Sequence, residues 1–295
     1  MELVVQHGIN ALSLGSVYAL LALGIALIFG IMQLINFAHG ELIMVGGYGL
    51  FSLGGIASPL LITLSIVLVV LFALAMERAA FRPVRGAHPS TLLVTSFAVS
   101  YLLQNLAILI YSSRPKTTSI VPSLSESVSI GDISVTKLSL VTLAVTIVLL
   151  LGLVVFLRKT AIGIQMRASA ENFRMARLLG VPANRVIAAA FVLTGGLAGV
   201  GAVLLVAQTG TITPDMGLAP VLIAFVATII GGMGSLLGAV FGGLLLGATT
   251  IALDVGLPYG ARPWRDAVLF TAVILVLLLR PQGLVAGTAA KTSRI

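Results

Sequence analysis

Long apolar runs separated by short polar segments cover most of the chain. An α-helix needs about 20 apolar residues to cross a hydrocarbon core of about 30 Å. The runs that reach about this length are Ile9–Ile31, Leu60–Met76, Thr91–Tyr111, Leu138–Leu157, Val186–Val206 and Leu236–Val255. The pattern therefore predicts an all-α protein, a polytopic bundle of transmembrane helices forming a single domain over residues 1–295.

Three further apolar runs are shorter or rich in glycine: Leu42–Ala57, Ala219–Ile230 and Val268–Leu279. If every run crosses, the chain has nine spans with its N-terminus outside. If Leu42–Ala57 is re-entrant, it has eight, with the N-terminus inside. Short, glycine-broken segments in two halves of a transporter can mark an inverted repeat around the pathway. We therefore predict about eight or nine spans with short glycine-broken segments among them.

Glycine spacing indicates where helices approach closely. In Leu236–Val255, glycines recur about four residues apart, at positions 238, 242, 243 and 247. Small residues at this spacing form a face that lets two helix backbones pack tightly in a membrane. The sequence therefore predicts a close helix–helix contact along this span.

Composition agrees with a membrane protein and excludes several classes of site. Apolar residues make up 59% of the chain and charged residues 9%, which leaves little room for a soluble domain. There is no cysteine, so disulfides, thiol catalysis and cysteine-based metal sites are excluded.

The net charge of +8 is explained by how the basic residues are distributed between the two sides. On the nine-span topology the inner segments hold twelve: Arg78, Arg82, Arg85, Arg158, Lys159, Arg167, Arg174, Arg177, Arg185, Arg280, Lys291 and Arg294. The outer segments hold five: Arg114, Lys116, Lys137, Arg262 and Arg265. This asymmetry fits the positive-inside rule, and no soluble face remains on which to bind a nucleic acid.

Residues 158–185 form the most basic connection, and they lie between two spans. Ser169 is expected to cap a short helix over Ser169–Leu179, with Glu171 in its first turn. Gly180 is expected just after that helix, and Pro182 prevents its continuation. Two interpretations stay open: the segment only fixes topology, or its apolar side chains contact a cytoplasmic protein.

Polar residues wedged between apolar runs are the candidate path residues. Asn36, His39 and Glu41 lie between the first two runs, and Gln104 and Asn105 lie within a span. They either line a translocation path or form a polar knot that pins helices together, because intramembrane polar groups usually pair with each other. A His-x-Glu pair lacks a third ligand, so neither a metal nor a cofactor is expected.

The segment from Ile35 to Glu41, Ile-Asn-Phe-Ala-His-Gly-Glu, closely resembles the signature of branched-chain amino acid ABC permeases of the LivH type. Ala170-Glu171-Asn172, with Ala176 and Gly180, resembles the cytoplasmic coupling loop of ABC-importer permeases. The resemblance covers nearly the whole chain and implies a permease of the bacterial inner membrane. It further implies a second permease subunit, two ATPase subunits that bind ATP, and a periplasmic substrate-binding protein. On this basis Ser169, Ala170, Glu171, Asn172, Ala176 and Gly180 are the expected ATPase-coupling residues.

Other functions fit less well. A membrane hydrolase would need a nucleophile–base pair, and the sequence carries neither His-Glu-x-x-His nor Gly-x-Ser-x-Gly. An ion-coupled transporter needs charged groups in the spans, for which Glu41 is the candidate. No Gly-x4-Gly-Lys-Ser/Thr motif is present, so ATP hydrolysis is expected from another subunit. Urea or a short amide remains the alternative substrate.

Overall fold

The computed structural model describes residues 2–33, 36–118, 120, 124, 126–130, 133–279 and 283. Its helices are α1 Glu2–Met32, α2 His39–Ser52, α3 Ser58–Met76, α4 Pro89–Tyr111, α5 Lys137–Lys159, α6 Ala161–Glu171, α7 Phe173–Leu178, α8 Ala183–Thr209, α9 Leu218–Gly231, α10 Leu236–Gly256 and α11 Arg265–Leu279. A π-helical turn, Glu77–Phe81, extends α3, and a 3₁₀ segment, Tyr259–Trp264, precedes α11. The strands are β1 Lys116–Thr117, β2 Ser127–Ile130, β3 Ile133–Thr136 and β4 Thr211–Ile212.

The predicted all-α membrane bundle is confirmed. Within the described residues, six helices are long and apolar enough to cross a membrane, namely α1, α3, α4, α5, α8 and α10. Helices α2 and α9 have 14 residues each and α11 has 15, less than a straight crossing requires. The chain is thus a multi-pass membrane protein, but helix length alone does not establish the predicted eight or nine spans.

Helix α1 lies at the centre of the bundle. It contacts α5, α8, α9 and α10. In its most apolar stretch of 18 residues, 83% is buried, a larger share than in any other long helix described. By contrast, the most apolar 18-residue stretches of α4 and α5 are only 17% and 22% buried. The core is therefore built around the first span, and α4 and α5 lie at the periphery.

The glycines of α10 pack this helix against two neighbours, as the spacing predicted. A Cβ added to Gly243 or Gly247 would collide with the backbone of α1 at Ala19 or Gly15. A Cβ on Gly242 would collide with the Ala227 carbonyl of α9. Because the colliding atoms belong to backbone, the side chains have no room to adjust, and these positions must remain glycine for the helices to approach this closely.

The outer segment between α4 and α5 contains folded structure. Strands β2 and β3 form an antiparallel pair in which Ser127 lies opposite Thr136. Strand β1 pairs with β4 at the end of α8, with Lys116 opposite Ile212. Several residues of this segment, among them Asp132, lie outside the described part of the chain.

The contacts of α1 fix the direction in which it runs. A Cβ on Gly30 would lie 3.9 Å from Ala170 of α6, so the end of α1 is on the side of the basic segment. Helix α1 also contacts β3, which precedes α5 at the opposite end of the bundle. The start of α1 therefore lies on the outer side, as the nine-crossing topology requires.

The described basic residues support that sidedness. Arg85 of the α3–α4 connection donates a 2.7 Å hydrogen bond to Asn184 at the start of α8, so two basic connections meet on one side. The predicted inner residues Arg280, Lys291 and Arg294 lie outside the described residues.

Candidate translocation site and coupling surface

The two short helices α2 and α9 begin at the same place inside the bundle. Gly40, in the first turn of α2, faces Gly217, the residue before α9. A Cβ on Gly40 would lie 2.6 Å from the Gly217 carbonyl oxygen and 3.2 Å from a methyl group of Val221. The first turns of the two helices are thus in backbone contact.

This meeting point lies near the middle of the membrane. His39 packs against α1 at Gly24, where a Cβ would lie 2.8 Å from its Nε2. Gly24 therefore lies about 12 Å from the inner end of α1, at a rise of 1.5 Å per residue along the helix. Near the end of α2, Tyr48 stacks on Tyr111 with ring centroids 4.2 Å apart, and Tyr111 closes α4 on the outer side. Helix α2 therefore covers only the outer part of the bilayer.

Helix α9 covers the inner part of the bilayer. It follows β4 on the outer side, and its last residue, Gly231, is in backbone contact with Gly238 near the start of α10. Because α10 runs antiparallel to α1, that start is on the inner side. Two broken spans whose helical halves begin at one central point are the arrangement that transporters use around a pathway.

Glu41 joins α2 to α4. Its side chain is 1% exposed, and its Oε1 accepts hydrogen bonds from Ser100 Oγ at 2.7 Å and Gln104 Nε2 at 2.8 Å. Within the described part of the chain, its Oε2 has no hydrogen-bond partner. Glu41 therefore pairs with Ser100 and Gln104 of α4, and we refer to these three residues as the Glu41 knot.

Asn36 and His39 are buried beside this knot, at 4% and 0% exposure. No side-chain atom of either residue finds a hydrogen-bond partner among the described residues. Phe37, which lies between these two residues in the sequence, stacks on Phe97 of α4 with ring centroids 4.4 Å apart. Buried polar groups without a partner are uncommon in folded proteins and call for an explanation.

Asn105 is the predicted residue that the structure does not bring to this site. It lies on the exposed face of α4, and its amide donates to the Tyr101 carbonyl of its own helix at 2.7 Å. Adjacent helical residues point about 100° apart, so Gln104 and Asn105 cannot face the same neighbour.

Replacing Gln104 by leucine should weaken the α2–α4 connection. It removes one of the two donors to a buried carboxylate, and leaving such a group short of a hydrogen bond costs about 1–3 kcal/mol. We expect a lower melting temperature of the purified protein and slower uptake by the assembled transporter. Thr249→Val, which removes a hydroxyl bonded only within its own helix, is the control. Equal melting temperatures for the two variants would show that the Glu41 contact does not hold α4 in place.

The basic segment folds into two short helices rather than one. Thr160 Oγ1 accepts from the Gly163 amide at 3.0 Å and caps α6. Asn172 Oδ1 accepts from the Met175 amide at 3.0 Å and caps α7. The predicted cap at Ser169 is wrong, because Ser169 lies inside α6 and is 2% exposed. Glu171 ends α6 instead of starting a helix.

The turn after α7 is as predicted. Gly180 has φ of +86°, a left-handed conformation in which glycine avoids the clash of a side chain. Together with Asn172 at the other end, it fixes α7 as a six-residue helix. Ala176 faces the bundle at 4% exposure, whereas Ala170 lies beside the inner end of α1.

The outward side of α7 is apolar with a basic rim. Met175, Leu178 and Leu179 are 54%, 75% and 83% exposed, and Arg174 and Arg177 are also exposed. Exposed apolar side chains clustered on a cytoplasmic helix are typical of a protein-binding surface. We refer to Met175, Leu178 and Leu179 as the α7 surface.

Sequence reasoning missed a buried ion pair next to this surface. Glu77, 3% exposed in the π-helical turn, pairs with Arg85, which also bonds Asn184. Burial lowers the pKa of the Arg85 guanidinium. A glutamate at the end of a span followed by an arginine eight residues later was the available signal. The cluster ties the end of α3 to the start of α8, beside a cavity of about 1100 Å³ lined by Gln33, Phe173 and Arg177.

Comparison with known proteins shows similarity over nearly the whole chain. The family model described as "Branched-chain amino acid transport system / permease component" matches residues 8–278. The high-affinity branched-chain amino acid transport system permease protein BraD of Pseudomonas aeruginosa is 37% identical over 95% of this chain and 94% of its own length. LivH of Escherichia coli K12, which has the same description, is also 37% identical, over 95% of this chain and 94% of its own length. A probable branched-chain amino acid permease of Methanocaldococcus jannaschii is 28% identical over 97% and 94%.

Proposed function

Because this chain belongs to the branched-chain amino acid transport permease family, we propose that it is the membrane subunit of an ATP-driven importer of branched-chain, hydrophobic amino acids. The observation that carries the proposal is the family match over residues 8–278. That range includes both the meeting point of α2 with α9 and the α7 surface. Urea and short amides are the alternative substrates.

The α7 surface supports a coupling role. It presents three apolar side chains on the basic, cytoplasmic side. Helix α7 contacts α6, which in turn contacts α1, α5 and α8. A short helix whose two ends are fixed by Asn172 and Gly180 transmits a displacement better than a flexible loop does. ATP-driven closure of two partner ATPase subunits would therefore displace α6 and α7 and tilt the spans attached to them. In this scheme ATP is bound by those subunits, and the permease itself needs no cofactor.

The meeting point of α2 and α9 supports a role in translocation. Both helices begin near mid-membrane, where unpartnered Asn36 and His39 side chains lie beside the Glu41 knot. Relative movement of the two short helices would open this point alternately to the two sides. Few charged groups lie in the spans, so selectivity would reside mainly in a periplasmic binding protein that delivers the substrate to the outer face.

Reconstitution of the purified complex tests the proposal. We expect the chain to co-purify with an ATPase and with a second permease. In vesicles, the complex should concentrate radiolabelled leucine only when ATP and the binding protein are both supplied. The chain alone should concentrate nothing.

Three results would contradict parts of this assignment. Competition by urea or acetamide, but not by isoleucine or valine, would identify an amide permease instead. Accumulation driven by an ion gradient without ATP would identify a secondary transporter. Purification without any ATPase would remove the importer assignment altogether.

A further inference from the structure

The exposed face of α4 carries two polar side chains within the membrane. Tyr101 is 73% exposed, and Asn105, four residues later, is exposed as well. Residues four apart lie on the same face of a helix. The Asn105 amide donates to the Tyr101 backbone carbonyl at 2.7 Å, which leaves the phenol of Tyr101 and the carbonyl of Asn105 directed away from the subunit's own core.

Tyr101 lies near the middle of the span, and Asn105 lies about one helical turn closer to its outer end. Helix α4 has 23 residues, a length of about 34 Å, and Tyr101 lies about 18 Å from its first residue. Tyrosine on a lipid-facing surface is normally found at the membrane–water interface, where its hydroxyl is hydrated. Hydrocarbon offers no hydrogen bond to a phenol or a carboxamide, so lipid is a poor neighbour for the centre of this face.

Other peripheral helices show what a lipid-facing surface of this protein looks like. The exposed large side chains in the middle of α5 are purely apolar: Ile147, Val148, Leu151 and Val155. In the central turns of the six long helices, the described residues include no exposed phenol or carboxamide other than Tyr101 and Asn105. The α4 face is thus chemically distinct from its peripheral neighbours.

The same helix carries a shallow groove lined by small residues. A cavity of about 490 Å³ runs along the inner half of α4 beside Thr91, Thr95 and Ala98. In membranes, small and hydroxyl-bearing residues mark the places where helices approach one another, and polar side chains there bond across the interface. Groove and polar pair together have the composition of a helix–helix contact.

We infer that the α4 face, defined by Ala98, Tyr101, Asn105 and Leu109, is the surface on which a second permease subunit packs. The partner is a polytopic membrane protein whose facing helix supplies hydrogen-bonding groups near the bilayer centre. The inference rests on the proposed function in one respect, that the importer contains two permease subunits. It also locates the subunit contact next to Gln104, so the interface adjoins the Glu41 knot.

Site-specific photo-crosslinking in the assembled complex tests this assignment. A benzophenone amino acid is introduced at Tyr101, and in a second variant at Leu109, which is 81% exposed on the same face and loses no polar group. Val148 on α5, 66% exposed and also near the middle of its helix, is the matched control. We expect irradiation to give an adduct with a permease subunit at Tyr101 and Leu109, at least fivefold more abundant than at Val148.

Mass spectrometry of the adduct decides the outcome. A homologous permease or another copy of this chain supports the inference. Adducts with lipid alone, with an ATPase or with the binding protein overturn it, as does a permease adduct confined to Val148. Co-purification is measured on the same samples: absence of a second permease would mean that the proposed function fails, whereas its presence without an adduct at Tyr101 or Leu109 would mean that only the α4 assignment fails.

Discussion

Replacing Gly217 by alanine should abolish transport. A Cβ at this position would lie much closer to the Gly40 carbonyl oxygen than van der Waals contact allows. Gly40 lies in the first turn of α2, and Gly217 immediately precedes α9. The backbones of α2 and α9 would have to separate, because no side chain there can move aside. Overpacking of this kind costs about 1–3 kcal/mol. We expect uptake to fall by at least tenfold and the melting temperature of the complex to decrease.

Gly152→Ala is the matched control for that change. Gly152 lies in α5, and an added Cβ would meet no atom within 4 Å, so alanine should be neutral or slightly stabilising in the helix. Full uptake by the Gly217→Ala variant would show that the contact between α2 and α9 is not part of the pathway. Comparable losses in both variants would point to a general intolerance of the membrane fold.

The importance of Gly217 was not visible in the sequence, although that of the α10 glycines was. The latter recur within one long apolar run, so their spacing alone predicts a packing face. Gly40 and Gly217 are far apart in the chain, and their contact depends on how deeply two short helices sit. Helix depth is decided by packing against α1 and α4, which a hydrophobicity pattern does not encode.

Replacing Leu179 by aspartate should separate the permease from the proposed ATPase partner while leaving its own fold intact. Leu179 is 83% exposed, so its loss removes little from the core. A few central residues of an interface each cost about 2 kcal/mol or more of binding free energy when they are replaced, and a buried charge at such a position would reduce affinity by about thirtyfold. We expect normal membrane insertion, a large decrease in co-purified ATPase and loss of ATP-dependent uptake.

Leu179→Met, which keeps the side chain apolar and of similar volume, is the control and should retain both association and uptake. Gly180→Ala tests the adjacent turn, because an L-residue at a φ of +86° costs about 1–2 kcal/mol; its effect should be intermediate. If Leu179→Asp still binds ATPase and supports normal uptake, the α7 surface is not the coupling element.

The coupling region shows how far local sequence rules reach. Gly180 and the nearby proline predicted where α7 ends, because left-handed glycine and proline act through their own backbones. The start of the helix was misplaced because Ser169 and Asn172 are both good caps and lie three residues apart. Burial of Ser169 against the bundle decides between them, and burial depends on tertiary structure. The Glu77–Arg85 pair was missed for the same reason, because the spacing of the two charges is visible in the sequence but the burial of Glu77 depends on the fold.

The pairing of β1 with β4 has a mechanical consequence. Lys116 and Thr117 are hydrogen-bonded to a strand that ends at Ile212, and four residues, 213–216, separate that strand from Gly217. A load applied to the extracellular loop would therefore reach the midpoint of the membrane through a short length of chain. A protein that docks on the outside would therefore act directly on the meeting point of α2 and α9, independently of the proposed ATPase partner.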